Sequence, residues 1–201
     1  MITQMSSAEG FLKGIKPACL ENITLLKIGN QVRLKQYPHY VIKEPFAIFF
    51  QTEQMKDQFL VQTADIDIHA PIYHKYVGEV LGYPPKAVQF WVDHLIRTME
   101  DKEQENLRFR SVGVGLYYCG IQCMGHFEDL GENVYWLWNQ YAYTDCFTRI
   151  TVDIAKGNDR WEFFVPYQNN QELFATISKV QKALEINKQM LKLEQLVTVH
   201  T

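Results

Sequence analysis

The chain predicts an α+β fold, a mainly antiparallel sheet packed against a central helix pair and a long C-terminal helix, and three observations carry that expectation. Helical and strand patterns come in blocks rather than in regular βαβ alternation, which disfavours a parallel sheet. Residues 70–99 spell out a helix, a tight turn and a second helix. Residues 107–167 are glycine-punctuated, rich in β-branched and aromatic side chains, and contain a clear hairpin pattern. A chain of 201 residues can bury one sizeable core, so the expectation is a single α+β domain over 1–201.

Each element has a local reason. Residues 7–16 read as a short helix with Ser6 or Ser7 as its cap, and Pro17 ends it. Residues 23–37 alternate and break at Gly29–Asn30, which predicts strand, turn, strand. His39–Lys43 and Phe46–Gln51 are short β-rich runs separated by Glu44–Pro45. Residues 53–62 have helical composition, with Thr52 as a cap. Pro71 opens a helix that Gly82 closes, and Pro84–Pro85 open the next one at once. In that second helix Val88, Trp91, Val92, Leu95, Ile96 and Met99 recur at helical spacing and predict one buried stripe, with the charged residues to 106 as a solvated end. Residues 107–127 and 134–147 read as strands, and residues 150–154 and 160–167 as a hairpin turning at 156–159. From Asn170 a final helix carries Leu173, Ile177, Val180 and Leu184, then Ile186, Met190, Leu193 and Val197. The stripe shifts near 184–186, which argues against a coiled coil and for packing across a sheet.

Composition narrows the function classes. An apolar fraction of 47% with 21% charged residues is that of a folded globular chain. The net charge of −3 provides no general attraction to nucleic acid. Residues 1–43 carry six Lys/Arg against two Glu, but the charges are scattered and contain no Arg cluster. No apolar run is long enough for a signal peptide or a membrane span, so the expectation is a cytoplasmic protein without a membrane partner. The four cysteines are then expected as thiols.

Candidate sites are few. Asp65, Asp67 and His69 share a face if 64–69 is a strand, and His74 follows five residues on. That set has the chemistry to hold a divalent metal and activate a water, as in a small hydrolase. The competing reading is a wet strand face with helix-capping side chains before Ala70–Pro71. Cys119, Cys123, His126 and Cys146 have a spacing that zinc permits, but Cys119 and Cys123 equally suit two small core thiols. Gly113 and Gly115 lack the third glycine and the helix of a nucleotide loop, and read as close packing against a ring. The turn Leu81-Gly82-Tyr83-Pro84-Pro85-Lys86-Ala87-Val88 resembles a Leu-Gly-Tyr-Pro-x-Cys-Cys-Val turn of some uncharacterised prokaryotic proteins. Lys86 and Ala87 stand where that turn has cysteines, and the likeness implies no function.

The aromatic content is high, with eleven Tyr, twelve Phe and four Trp. On a strand, Tyr135, Asn139, Tyr141 and Tyr143 would line one side and Trp136 and Trp138 the other. A sheet with rings on both faces is buried twice or offers one face to a partner. The expectation is therefore a non-catalytic binding or regulatory protein that uses Tyr135, Trp136, Trp138, Asn139, Tyr141 and Tyr143 on a protein partner or on a second copy of itself. The alternatives are the metal-dependent hydrolase and a small-ligand module with an aromatic-lined pocket. No cofactor is indicated.

Overall fold

The computed structural model describes residues 5–153 and 160–198. It is a mixed helix and sheet structure with antiparallel sheets, the α+β class that the block pattern predicts. The N-terminal half runs α1 (Ser7–Leu12), β1 (Ala18–Asn22), α2 (Ile28–Leu34), β2 (His39–Lys43), β3 (Phe46–Phe50), α3 (Glu53–Thr63) and α4 (Pro71–Val80). A capping box starts α1: Ser6 Oγ accepts from the Glu9 N–H, and the Glu9 carboxylate accepts from the Ser6 N–H at 2.8 Å. Thr52 caps α3 in the expected way.

β1, β3 and β2 form a three-stranded sheet with β3 in the middle, paired Ala18↔Phe50 on one side and His39↔Phe49 on the other. This explains why Phe46–Phe50 is apolar at every position. One face of β3 packs Ala47 and Phe49 against Phe11 and Leu34 of α1 and α2. The other packs Ile48 and Phe50 against Phe59 and Tyr73 of α3 and α4. A central strand covered on both faces needs no polar alternation.

The C-terminal half runs α5 (Pro85–Glu100), α6 (Lys102–Val112), β4 (Gly113–Tyr118), β5 (Ile121–His126), a 3-10 turn at Phe127–Asp129, α7 (Leu130–Gln140), β6 (Phe147–Asp153), β7 (Arg160–Pro166) and α8 (Asn170–Thr198). The second sheet has the order β5-β4-β6-β7. It is built from two strand–strand–helix units whose first strands, β4 and β6, pair in the centre through Gly115↔Thr151 and Tyr117↔Arg149. Leu116, Tyr118, Ile150, Val152 and Val165 point from it into the largest core, against Val134, Leu137 and Trp138 of α7 and Leu173 and Val180 of α8.

Two joints set the halves against each other. At the first, α1 lies on the tip of the β4–β5 hairpin. A Cβ at Gly10 would run into the Cys119 carbonyl, and one at Gly120 would run into the Ser6 carbonyl. Lys16, only 2% exposed, donates from Nζ to Ser7 Oγ at 2.8 Å and to the Gly120 carbonyl at 3.1 Å. The second joint is the α4–α5 corner. Gly82 adopts φ +76° with its carbonyl accepting from Tyr141 Oη at 2.9 Å, and Gly78 faces Val88 so closely that a Cβ would meet Val88 Cγ2 at 2.9 Å.

Several expectations change. Gly29–Asn30 is not a turn but the start of α2, because β1 already supplies the strand that β3 needs, and Leu34 is buried against that sheet. Residues 64–69 form no strand; Ile66 and Ile68 still point inward and Asp65, Asp67 and His69 outward, now from a turn. Residues 107–112 are helical, since Asp101 caps a new helix and buried Glu105 holds both His94 Nδ1 at 2.9 Å and Arg108 Nε at 2.6 Å. Residues 134–140 are helix α7, not strand. The β6–β7 pairing agrees with the expected hairpin, and its turn at 156–159 lies outside the described residues. The buried stripe of α8 continues through Ala183, Leu184, Asn187 and Leu191, whereas Ile186 and Leu193 are exposed.

The buried ammonium makes a testable demand. Burial lowers the Lys16 pKa from 10.5 to about 8. Below that value the group is charged in both states and the fold bears its desolvation cost. Between about 8 and 10.5 Lys16 holds its proton more fully in the unfolded chain than in the folded one, so its own contribution to stability should rise with pH across that window, by as much as about 3 kcal/mol. Burial also raises the pKa of Cys19, Cys119 and Cys123 above 9.0, which pulls stability down above that pH in both proteins, so the readout is the difference: in urea unfolding from pH 7 to 10.5 the wild type should gain on Lys16→Met by that amount.

Candidate functional site

The α4–α5 corner and the outer side of the β4–β5 hairpin border a cavity of about 290 Å³, with Leu20 of β1 as a further wall. Its buried lining is small or aliphatic: Gly78, Leu81, Ala87 and Val88. The larger groups are Tyr83, Trp91, Tyr117 and Met124, and Trp91 and Gln122 reach solvent at the rim. The space has a local cause. Small residues at the helix crossing let α4 and α5 approach closely, and the rings beside them cannot follow into the gap.

Charge is kept out of this cavity. Burial, and then the neighbouring His69 imidazole, lowers the pKa of His74, which keeps it neutral. Burial pushes the Cys123 thiol up to about 12 despite the nearby Lys16 ammonium. Burial, with Cys123 and Glu21 nearby, also raises the Tyr83 phenol. A thiol so far from ionising reacts only slowly as a nucleophile at neutral pH. The arrangement can bind, through apolar contact, ring faces and the side chains of His74 and Gln122.

The six residues expected on an aromatic surface part company. Trp138 and Tyr141 are 1% and 6% exposed. Trp138 Nε1 donates to Thr148 Oγ1 at 2.8 Å, and Tyr141 Oη holds the corner. Both belong to the core, because α7 turns Val134, Leu137, Trp138 and Tyr141 to one side. Tyr135, Trp136 and Tyr143 are half-buried beside them, and Asn139 is exposed. The helical spacing was present in the sequence, but the density of β-favouring rings outweighed it.

The proposed metal ligands do not converge. Asp67 Oδ1 accepts the His69 N–H at 2.7 Å within the turn before Pro71, whereas α4 starts after Ala70 with no side-chain cap, so these residues do not cap the helix. His74 sits one turn into α4 and lines the cavity instead. Among the described residues no group of three or more His, Cys, Asp and Glu side chains is placed to hold a metal ion. The same holds for Cys119, Cys123, His126 and Cys146: Cys119 sits at the hairpin tip, while Cys123 lies within β5. Gly115 does allow close packing, with Tyr117 Cε2 3.3 Å from where its Cβ would be.

Sequence reasoning treated the corner as a feature of the fold and assigned Trp91 to a buried stripe. The signal for a cavity was there: Gly78 and Ala87 at a helix crossing, beside Tyr83 and Trp91. No family model, curated protein or solved structure matches the chain. No described helix is long and apolar enough to cross a membrane.

The core assignment of the α7 rings has measurable consequences. Trp138→Ala should destabilise the protein by about 4 kcal/mol, through the cavity it leaves and the loss of Thr148's partner. Asn139→Ala, on the exposed side of the same helix, should stay within about 0.5 kcal/mol. Chemical denaturation of both variants measures the contrast.

Proposed function

We propose that this protein is a non-catalytic binding protein that takes a small, uncharged, largely apolar molecule in the cavity between the α4–α5 corner and the β4–β5 hairpin. The carrying observation is the lining itself: a half-open cavity of about 290 Å³ walled by Tyr83, Trp91, Tyr117 and Met124, with His74, Tyr83 and Cys123 held toward their neutral forms. Apolar walls with a few polar groups are the usual make-up of ligand sites, and the volume suits a ligand at the small end of the usual range. A planar ring between the aromatic walls, with one polar atom toward His74 or Gln122, satisfies both features. The cytoplasmic setting expected from the sequence is part of the same proposal.

The test is a thermal-shift and ligand-observed NMR screen of small neutral aromatic and aliphatic compounds against the wild type and Ala87→Phe. Binders should raise the wild-type midpoint and lose their effect when the introduced phenylalanine ring fills the cavity. Binding that survives in the filled variant would remove the cavity from the argument. Affinity should also fall as pH drops below the ordinary histidine value of 6.5, because a charged His74 penalises an uncharged ligand; His74→Gln should flatten that dependence.

A second reading, contact with a protein partner or a second copy, is favoured by a different patch from the expected one. Leu25, Ile28 and Val32 are 81%, 79% and 57% exposed along α2 and the turn before it, flanked by the exposed Lys27, Arg33 and Lys35. Sedimentation velocity on the wild type and Ile28→Asp tests self-association directly: a dimer that the aspartate dissolves supports it, and a wild-type monomer removes the second copy.

A further inference from the structure

The tip of the β4–β5 hairpin carries an unusual residue. Tyr118 and Ile121 close the ladder, so Cys119 and Gly120 are its two-residue turn, with φ of 51° and 81°. Two consecutive positive φ values define the turn that hairpins favour, and asparagine, aspartate or glycine is the usual first residue. Cysteine has neither the missing Cβ nor the side-chain carbonyl that eases this conformation, so the backbone is strained where a thiol is placed.

That thiol has a partner. Tyr118 Oη donates to the Tyr141 and Tyr143 carbonyls, both at 2.9 Å, which draws the α7–β6 connection over the hairpin tip. Cys146 lies on this connection and packs against the core cluster that holds Cys119, with its thiol beside that of Cys119. Cys119 is buried at 2% exposure, whereas Cys146 is partly open to solvent. Cys19 is buried in the core beneath α1, and Cys123 is buried in the same core as Cys119, within β5.

We infer that Cys119 and Cys146 form a peroxide-reactive dithiol site that closes reversibly to a disulfide between the hairpin tip and the α7–β6 connection. The order of events follows from access. The Cys146 thiolate attacks one oxygen of a hydroperoxide; the O–O bond breaks, the second oxygen leaves as water or an alcohol, and Cys146 becomes a sulfenic acid. The Cys119 sulfur then attacks that sulfur. The S–O bond breaks, the departing hydroxide takes the Cys119 proton as water, and the S–S bond forms. Two thiols have lost two electrons and two protons, and the hydroperoxide has gained them. Cys119, the buried partner, is the resolving thiol, and the rise in its pKa from burial, then from Cys146 beside it, slows its attack. A dithiol reductant reverses the closure. The bond would tie Cys119, next to Tyr118 in β4, to a segment outside the sheet, stiffening the hairpin that also bears Tyr117 and Gln122.

The experiment is peroxide titration of the full-length reduced protein, followed by intact mass and non-reducing peptide mapping. The wild type should lose the mass of two hydrogen atoms, yield a peptide linked through Cys119 and Cys146, and recover its original mass with dithiothreitol. In Cys146→Ser no linked peptide should form and oxidation at Cys119 should fall by about tenfold or more, while Cys119→Ser should accumulate a dimedone-trappable sulfenic acid at Cys146. Circular dichroism checks that each variant is folded, and the wild-type and Cys146→Ser maps decide the matter if Cys119→Ser is not. Direct over-oxidation of Cys146 without a linked peptide, a link involving Cys19 or Cys123, or no reaction at any cysteine would overturn the assignment.

Discussion

The architecture depends on the contact between α1 and the tip of the β4–β5 hairpin. Two glycines, Gly10 and Gly120, let backbone meet backbone there with no room for a side chain. Lys16 then directs its buried ammonium to the Gly120 carbonyl and to Ser7. An unpaired buried ammonium would be expelled or neutralised; hydrogen-bonded, it costs stability but tolerates only one placement of the two halves. Everything between the sheets inherits its spacing from this joint and from the Tyr141 bond to Gly82.

The cavity is a by-product of that spacing turned into a feature. Close approach of α4 and α5 at Gly78 and Val88 brings the corner over the hairpin, and the large rings of Tyr83, Trp91 and Tyr117 hold the remaining gap open. Because the surroundings are apolar, each ionisable group that borders the gap and responds to burial moves toward its neutral form. A site of this kind offers recognition by shape and contact rather than by charge.

Legibility varied with how local the determining physics is. Caps and breakers were readable in part: Ser6, Thr52 and Pro71 start their helices where expected and Gly82 ends its own, whereas α1 stops at Leu12, well before Pro17. The β6–β7 pairing was readable because period-two patterning is also local. Residues 28–34 and 134–140 were misjudged, since their β-favouring side chains are overruled by what they pack against: Leu34 on a sheet already complete, and Leu137 and Trp138 on the core of the second one. The candidate site was legible only as parts, a glycine and an alanine at one corner and a scatter of rings.

By itself the sequence determined the class of fold, the helical corner and the starts of α1, α3, α4 and α5, all consequences of backbone sterics and short-range bonding. Tertiary structure alone decided which rings became core, that His74 borders a cavity rather than joining Asp65 and Asp67, and that Cys119 meets Cys146. Those outcomes rest on residues far apart in the chain brought within contact, and packing at that range has no signature in any one stretch of sequence.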